Sequence, residues 1–177
     1  MTGVMHAGEQ TITVDLHLNR DGSSVGTLSI DDAVQPVRAV GGVYFVQMTS
    51  SYIHYLVVHG GNAALYAPMT NKWVSSAAGA ESLPAKYATL LSYTLFFKTV
   101  TQAKDPVALH AAGLTTLDGR SVALYTTAQG DRFYVSATGP AYLLLEDGSR
   151  TDSSGSLSFS WNQPVTVTTL PASDIIN

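Results

Sequence analysis

Five histidines are the residues in this sequence best suited to metal or proton chemistry. His54 and His59 stand five apart in one short helical run, whereas a zinc pair on a helix face needs a spacing of three or four. His6 and His17 fall in strand-like runs, the latter on the polar side of its own. The chain has no cysteine, so thiolate ligands, a thiolate nucleophile and a disulfide framework are all excluded. Without cysteines or a flanking carboxylate cluster, the histidines read as ordinary surface or partly buried imidazoles.

Other reactive types are no better arranged. Serines are plentiful, but no G-x-S-x-G elbow presents one, and Ser153-Ser154-Gly155-Ser156 reads as a hairpin turn. The acid pairs Asp31-Asp32 and Glu146-Asp147 fall at strand ends, where carboxylates commonly serve turns and lack the burial that acid–base catalysis requires. Gly41-Gly42 and Gly60-Gly61 lack the strand–loop–helix setting of a phosphate loop. The pattern therefore points to a non-enzymatic protein with no cofactor and no metal.

The elements that would position a site are strands, helices, then strands again. Gly3–His6 and Thr11–Leu18 form an expected hairpin. Val25–Ile30, Gln35–Val40 and Val43–Met48 continue the meander through turns at Asp21-Gly22, Asp31-Asp32 and Gly41-Gly42. Helical spacing follows in Ser51–His59, and Asn62–Pro68 reads as a second short helix. Lys72–Val74 is a short strand, and Ser75–Glu81 a loop of small residues.

Leu83–Val100 then carries Leu83, Tyr87, Leu90, Leu91, Thr94, Leu95 and Lys98 along one helix face, with Ser82 as N-cap and Pro84 in the first turn. Leu109–Leu117, Arg120–Thr127, Asp131–Thr138, Ala141–Glu146 and the Leu157/Phe159/Trp161 run return to a strand pattern. Asp147–Gly155 reads as a polar turn, and Pro164–Thr169 as the strand that closes the sheet. The expected organisation is a single domain over 1–177, with a meander (1–48), a helical insert (49–100) and a second meander (101–177). Short connections imply an antiparallel sheet.

Composition narrows the function. Of 177 residues, 45% are apolar and only 12% charged, about half the usual share of roughly 25%. A net charge of −4 leaves no basic stripe for phosphates, which argues against nucleic acid. No apolar run reaches the roughly 18 residues of a membrane span. Between Thr49 and Val100 the charges are Lys72, Glu81, Lys86 and Lys98 alone.

The positive signal is thus apolar. Tyr52, Ile53, Leu56, Leu83, Tyr87, Leu90, Leu91, Thr94 and Leu95 populate the charge-poor insert. Strand parity adds Val14, Leu16 and Leu28; Val43–Met48 is apolar on both faces, and Phe45 is the residue chosen from it. Each alone suits a core between helix and sheet. Together they can line a cavity for an acyl chain, with tyrosine hydroxyls meeting a polar head group at its mouth.

The order of motifs adds a resemblance. The run TVDLHLNRDGSSVGTLSI, the RAVGGVYFV hairpin, the NKWV strand and LDGRSVALYTTAQGDRFYVSATGPAYLLLEDG followed by LSFSWNQPVTV resemble actinobacterial cell-envelope lipoproteins. These are related to the mycobacterial LppX/LprG-type lipid carriers and, more loosely, to periplasmic carriers of lipoproteins. Its most specific stretches are Val135–Pro140 (VSATGP) and Phe159–Pro164 (FSWNQP), turn and strand features and not catalytic motifs.

The resemblance implies an α+β fold, a half-open antiparallel β-barrel with helices on its concave side and an apolar cavity between. It also implies an extracytoplasmic, envelope-anchored protein that binds lipid or glycolipid and is attached by a lipidated cysteine. That cysteine is absent, as in a domain cut after the lipidation motif and its linker, and the opening MTGVMHAGEQ is already strand-like. The expected function is binding or carriage of a lipid or other apolar ligand, in a cavity between sheet and helices, by a monomer. The alternative is an envelope interaction or structural protein whose cavity has collapsed.

Overall fold

The computed structural model describes residues 1–76, 88–101, 108–149 and 153–176. Its first meander comprises β1 (Thr2–Ala7), β2 (Gln10–Leu18), β3 (Ser24–Ile30), β4 (Ala33–Val40) and β5 (Val43–Gln47). Alternation fixes β4: Ala33, Gln35, Val37 and Ala39 are buried, while the residues between them are exposed or half-buried. Gly41 and Gly42 both take positive φ, 58° and 79°, in the two-residue turn that joins β4 to β5. A type I′ turn requires that conformation, and its twist matches the flanking strands.

Helix α1 (Ser50–Val58) starts at Thr49, whose Oγ1 accepts the Tyr52 N–H at 3.2 Å and donates to the Val34 carbonyl at 2.6 Å. One hydroxyl thereby caps the helix and ties it to the start of β4. Helix α2 (Ala63–Tyr66) is capped by Asn62 and runs into a 3-10 turn, Ala67–Met69, before β6 (Trp73–Ser75). Tyr52 packs with Ala33 and Met48, and Ile53, Leu56, Tyr66 and Met69 close around that cluster.

The expected long helix is not continuous. Its described part is α3 (Ala88–Leu91) and α4 (Tyr93–Thr101), separated at Ser92; Leu83 and Tyr87 lie outside the described residues. The Ser92 hydroxyl accepts the Leu95 N–H at 3.3 Å, so Ser92 caps a new helix where a continuous one would have run on. The break shifts the buried stripe by one position: Leu91, Ser92 and Phe96 face inward, while Thr94 and Leu95 are exposed.

The second meander is β7 (His110–Leu117), β8 (Arg120–Thr126), β9 (Arg132–Ser136), β10 (Leu143–Ser149) and β11 (Ser153–Ser158). Much of Asp147–Gly155, expected as a turn, is strand. Asp147 faces Arg132 across β9 and β10, its carboxylate 3.7 Å from the guanidinium. Gly155 pairs with Met5 of β1, and a Cβ there would run into the Val4 carbonyl oxygen. The polar, small-residue composition that suggested a turn is what lets the neighbouring strand approach.

With β12 (Ile175–Ile176), the strands among the described residues form one sheet of 12 in the order β12-β6-β5-β4-β3-β2-β1-β11-β10-β9-β8-β7, which is not closed. It is mixed and not purely antiparallel, because β12 lies parallel to β6. The expected closing strand at 164–169 forms no ladder. Its carbonyls are taken by side chains instead: Asn19 Nδ2 donates to Val165 O at 2.9 Å and Arg38 Nη1 to Thr168 O at 2.6 Å. Further on, Lys72 Nζ donates to Ser173 O at 2.9 Å and delivers the chain to β12.

By its contacts the chain divides into two compact units: Met1–Thr13 with Lys104–Gln163, and Val14–Ala103 with Pro164–Asn177. The second holds α1 to α4 and the apolar cluster around Tyr52.

Candidate functional site

In the second unit, β4 is the strand against which α1 and α3 pack. Register carries its buried face to its neighbours: Leu28 of β3 stands opposite Gln35, and Val46 of β5 opposite Val37. Val74 of β6 stands opposite Val46 in turn. Phe45, the residue chosen from β5, stands opposite Arg38 and Ser75 and so lies on the other face. A one-residue change of parity moves a side chain across the sheet, and the sequence alone, apolar at both parities, could not set it. Val46 is the β5 residue that shares the face of Leu28.

Of the other expected pocket residues, Val14, Leu16, Leu28, Tyr52 and Leu91 are fully buried. Ile53, Leu56 and Leu90 are half-buried. Thr94 and Leu95 are turned outward by the Ser92 break, with Leu95 39% exposed. None of the described residues that the register places on this face of β3 to β6 is Asp, Glu, Lys, Arg or His.

One residue there breaks the apolar pattern. Gln35 is 0% exposed, and neither Nε2 nor Oε1 of its carboxamide has a hydrogen-bond partner. Ser24 Oγ, four residues further along the sheet by register, is likewise buried and unpartnered. An amide sealed against apolar atoms with both ends unmade costs about 1–3 kcal/mol. In sequence Gln35 reads only as a strand residue; the signal that marks it is one amide within an otherwise apolar alternation.

The first unit contains a different feature, a half-open pocket of about 530 Å³. Arg120 and Ser121 enter it from β8, Ser136 and Thr138 from the end of β9, and Tyr142 and Leu144 from β10 and the loop before it. The remaining wall is Phe159 and Trp161 with the three polar residues Ser160, Asn162 and Gln163. The two stretches VSATGP and FSWNQP, separate in sequence, thus line one concavity. In sequence they read as turn and strand features, without a site between them.

Local bonds hold that wall. Trp161 Nε1 donates to Leu143 O at 2.6 Å, and the Phe159 N–H to Leu144 O at 2.8 Å. The Trp161 ring stacks on Tyr142 at 5.1 Å between centroids and on Phe159 at 6.3 Å. Asn162 takes a positive φ of 59°, and its Nδ2 donates to the Tyr142 hydroxyl at 3.1 Å.

His59, His6 and Asp131 each lie beside a local partner. His59 Nδ1 lies 2.7 Å from Tyr55 O, and His6 Nδ1 lies 3.2 Å from Thr11 Oγ1. Among the described residues no three histidine, aspartate or glutamate side chains converge as metal ligands. Asp131 is buried, and its Oδ2 accepts the Thr127 hydroxyl at 3.1 Å, closing the β8–β9 turn. Neither a protein-family model nor a curated protein matches the chain.

Proposed function

We propose that this protein binds an apolar, lipid-like ligand outside the cytoplasm and performs no catalysis. The ligand bed is the uncharged face of β3 to β5 beneath α1 and α3, and the sheet and helices act as the half-open barrel that the motif order resembles. One observation carries the reading. The face in its closed form seals Gln35 with both amide ends unpaired, so the closed form holds a penalty that parting of the helices relieves. Acyl chains entering there would gain roughly 0.8 kcal/mol per CH₂ removed from water. Anchoring to a membrane through a lipidated cysteine belongs to the same proposal.

The test is native mass spectrometry with organic extraction on protein secreted by an actinobacterial host. Co-purifying lipid at near-stoichiometric amount supports carriage and names the lipid class. Lipid-free protein that also ignores added fluorescent fatty acid overturns it.

A second reading, docking of an envelope partner, is favoured by β7. That strand ends the sheet, His110 to Thr116 are exposed, and Leu114 is 74% exposed. It carries no Lys, Glu or Pro to blunt its edge, so an extended segment of a partner can add to it as a further strand. A photo-crosslinker at Thr115 that captures one defined partner segment, in protein that binds no lipid, would favour this reading.

A further inference from the structure

The pocket of the first unit has a chemistry of its own, independent of the apolar bed. Its volume of about 530 Å³ lies within the roughly 300–1,000 Å³ usual for small-molecule sites. One wall is aromatic and rigid, because the Trp161 ring is stacked with both Tyr142 and Phe159 and its indole N–H is committed to a backbone carbonyl. Around that wall stand hydroxyl and amide groups, and the side chains of Arg120, Ser121, Ser160 and Gln163 make no hydrogen bond or ion pair among the described residues. Among the described residues Arg120 is the one charged member of the lining, and no carboxylate accompanies it there.

A ligand matched to this surface needs an apolar face to lie along aromatic rings and an edge rich in donors and acceptors. It must tolerate, or welcome, a cation beside that edge. A pyranose ring has both surfaces: axial C–H groups on its face and hydroxyls around its rim. A flat apolar ligand would leave the hydroxyl and amide groups unpaired, and a simple anion would make no use of the aromatic wall. We infer that this pocket binds a saccharide of one or two rings, with Arg120 favouring a sugar that carries a carboxylate.

Trp161 supplies the readout, and the Trp73→Phe variant leaves it as the sole tryptophan. Titrations of that variant with methyl glucuronide, methyl glucoside, sorbitol and inorganic phosphate are followed by tryptophan fluorescence and by amide chemical shifts. The expected result is saturable millimolar binding of both glycosides, the glucuronide about tenfold tighter, with sorbitol and phosphate silent. Arg120→Gln should erase the tenfold preference and keep glucoside binding. Gln163→Ala should weaken both glycosides; both positions are exposed, so neither change threatens folding. Absence of saturable glycoside binding overturns the inference. So does a response to phosphate equal to that to glucuronide, which would make Arg120 a plain anion contact. Lipid binding plays no part in these outcomes.

Discussion

The Arg38 guanidinium lies over the Trp73 ring, 5.5 Å from its centre, and donates from Nη1 to Thr168 O at 2.6 Å and to Thr168 Oγ1 at 3.2 Å. A single side chain thus joins β4, β6 and the extended segment that leads to β12. Replacement by methionine keeps some of the stem packing and removes the charge-assisted bonds. Arg38→Met should cost about 1–2 kcal/mol and speed amide exchange in Val167–Leu170, read by hydrogen–deuterium exchange. Unchanged exchange there would show that the segment is held by its other contacts.

Gln35 makes an opposite kind of prediction. Methionine is close to glutamine in volume and brings no unmet donor or acceptor. Gln35→Met should therefore raise the stability of ligand-free protein, by about 1–2 kcal/mol in chemical denaturation. A loss of stability would mean that the carboxamide is bonded in solution, and the argument for an opening face would fail with it.

Blocking the proposed bed should separate uptake from folding. Leu90 is half-buried and Leu91 fully buried on α3. Leu90→Trp should abolish fluorescent fatty-acid uptake with a moderate loss of stability, whereas Leu91→Trp should add an overpacking cost of about 1–3 kcal/mol. Wild-type uptake by both variants would place any apolar ligand elsewhere.

Asp21 gives a pH signature. Its carboxylate accepts the Ser23 hydroxyl at 2.7 Å and the Ser23 N–H at 2.8 Å, which holds its pKa below the usual aspartate value. The charged form is the one favoured by folding. Its contribution is complete above the unfolded-state pKa and is lost as pH falls through the lower folded value. The stability difference between wild type and Asp21→Ala should shrink on acidification through that window, and a carboxyl titration by NMR should show the depressed midpoint. A pH-independent difference would remove the carboxylate from the turn's energetics.

Much of the fold was legible because its signals are local. Alternation at Val14 and Leu16, the Gly41-Gly42 turn and the end of α1 before Gly60, which takes a positive φ of 93°, each act within a few residues. What was not legible depends on partners distant in sequence. The Phe45/Val46 parity follows from the pairing of β5 with β4 and β6, and the strand character of the serine-rich stretch from β1 and β10 on either side. Ser92 shows a third case, where a hydroxyl competes with helix continuation and periodicity cannot register the outcome. The pocket around Trp161 escaped for the same reason as the parity: VSATGP and FSWNQP meet only when β9, β10 and β11 have paired.

The pairing of Thr2 with Ser158 puts the two sides of one ladder near opposite ends of the chain. During synthesis β1 emerges first and β11 roughly 150 residues later, a delay of about 8–30 s at roughly 5–20 residues per second. Throughout that interval one edge of β1 has no cognate strand, and the unit that contains the Trp161 pocket cannot close. The β1–β11 ladder is therefore a late contact in the folding of this unit, formed only after Ser158 has been added to the chain.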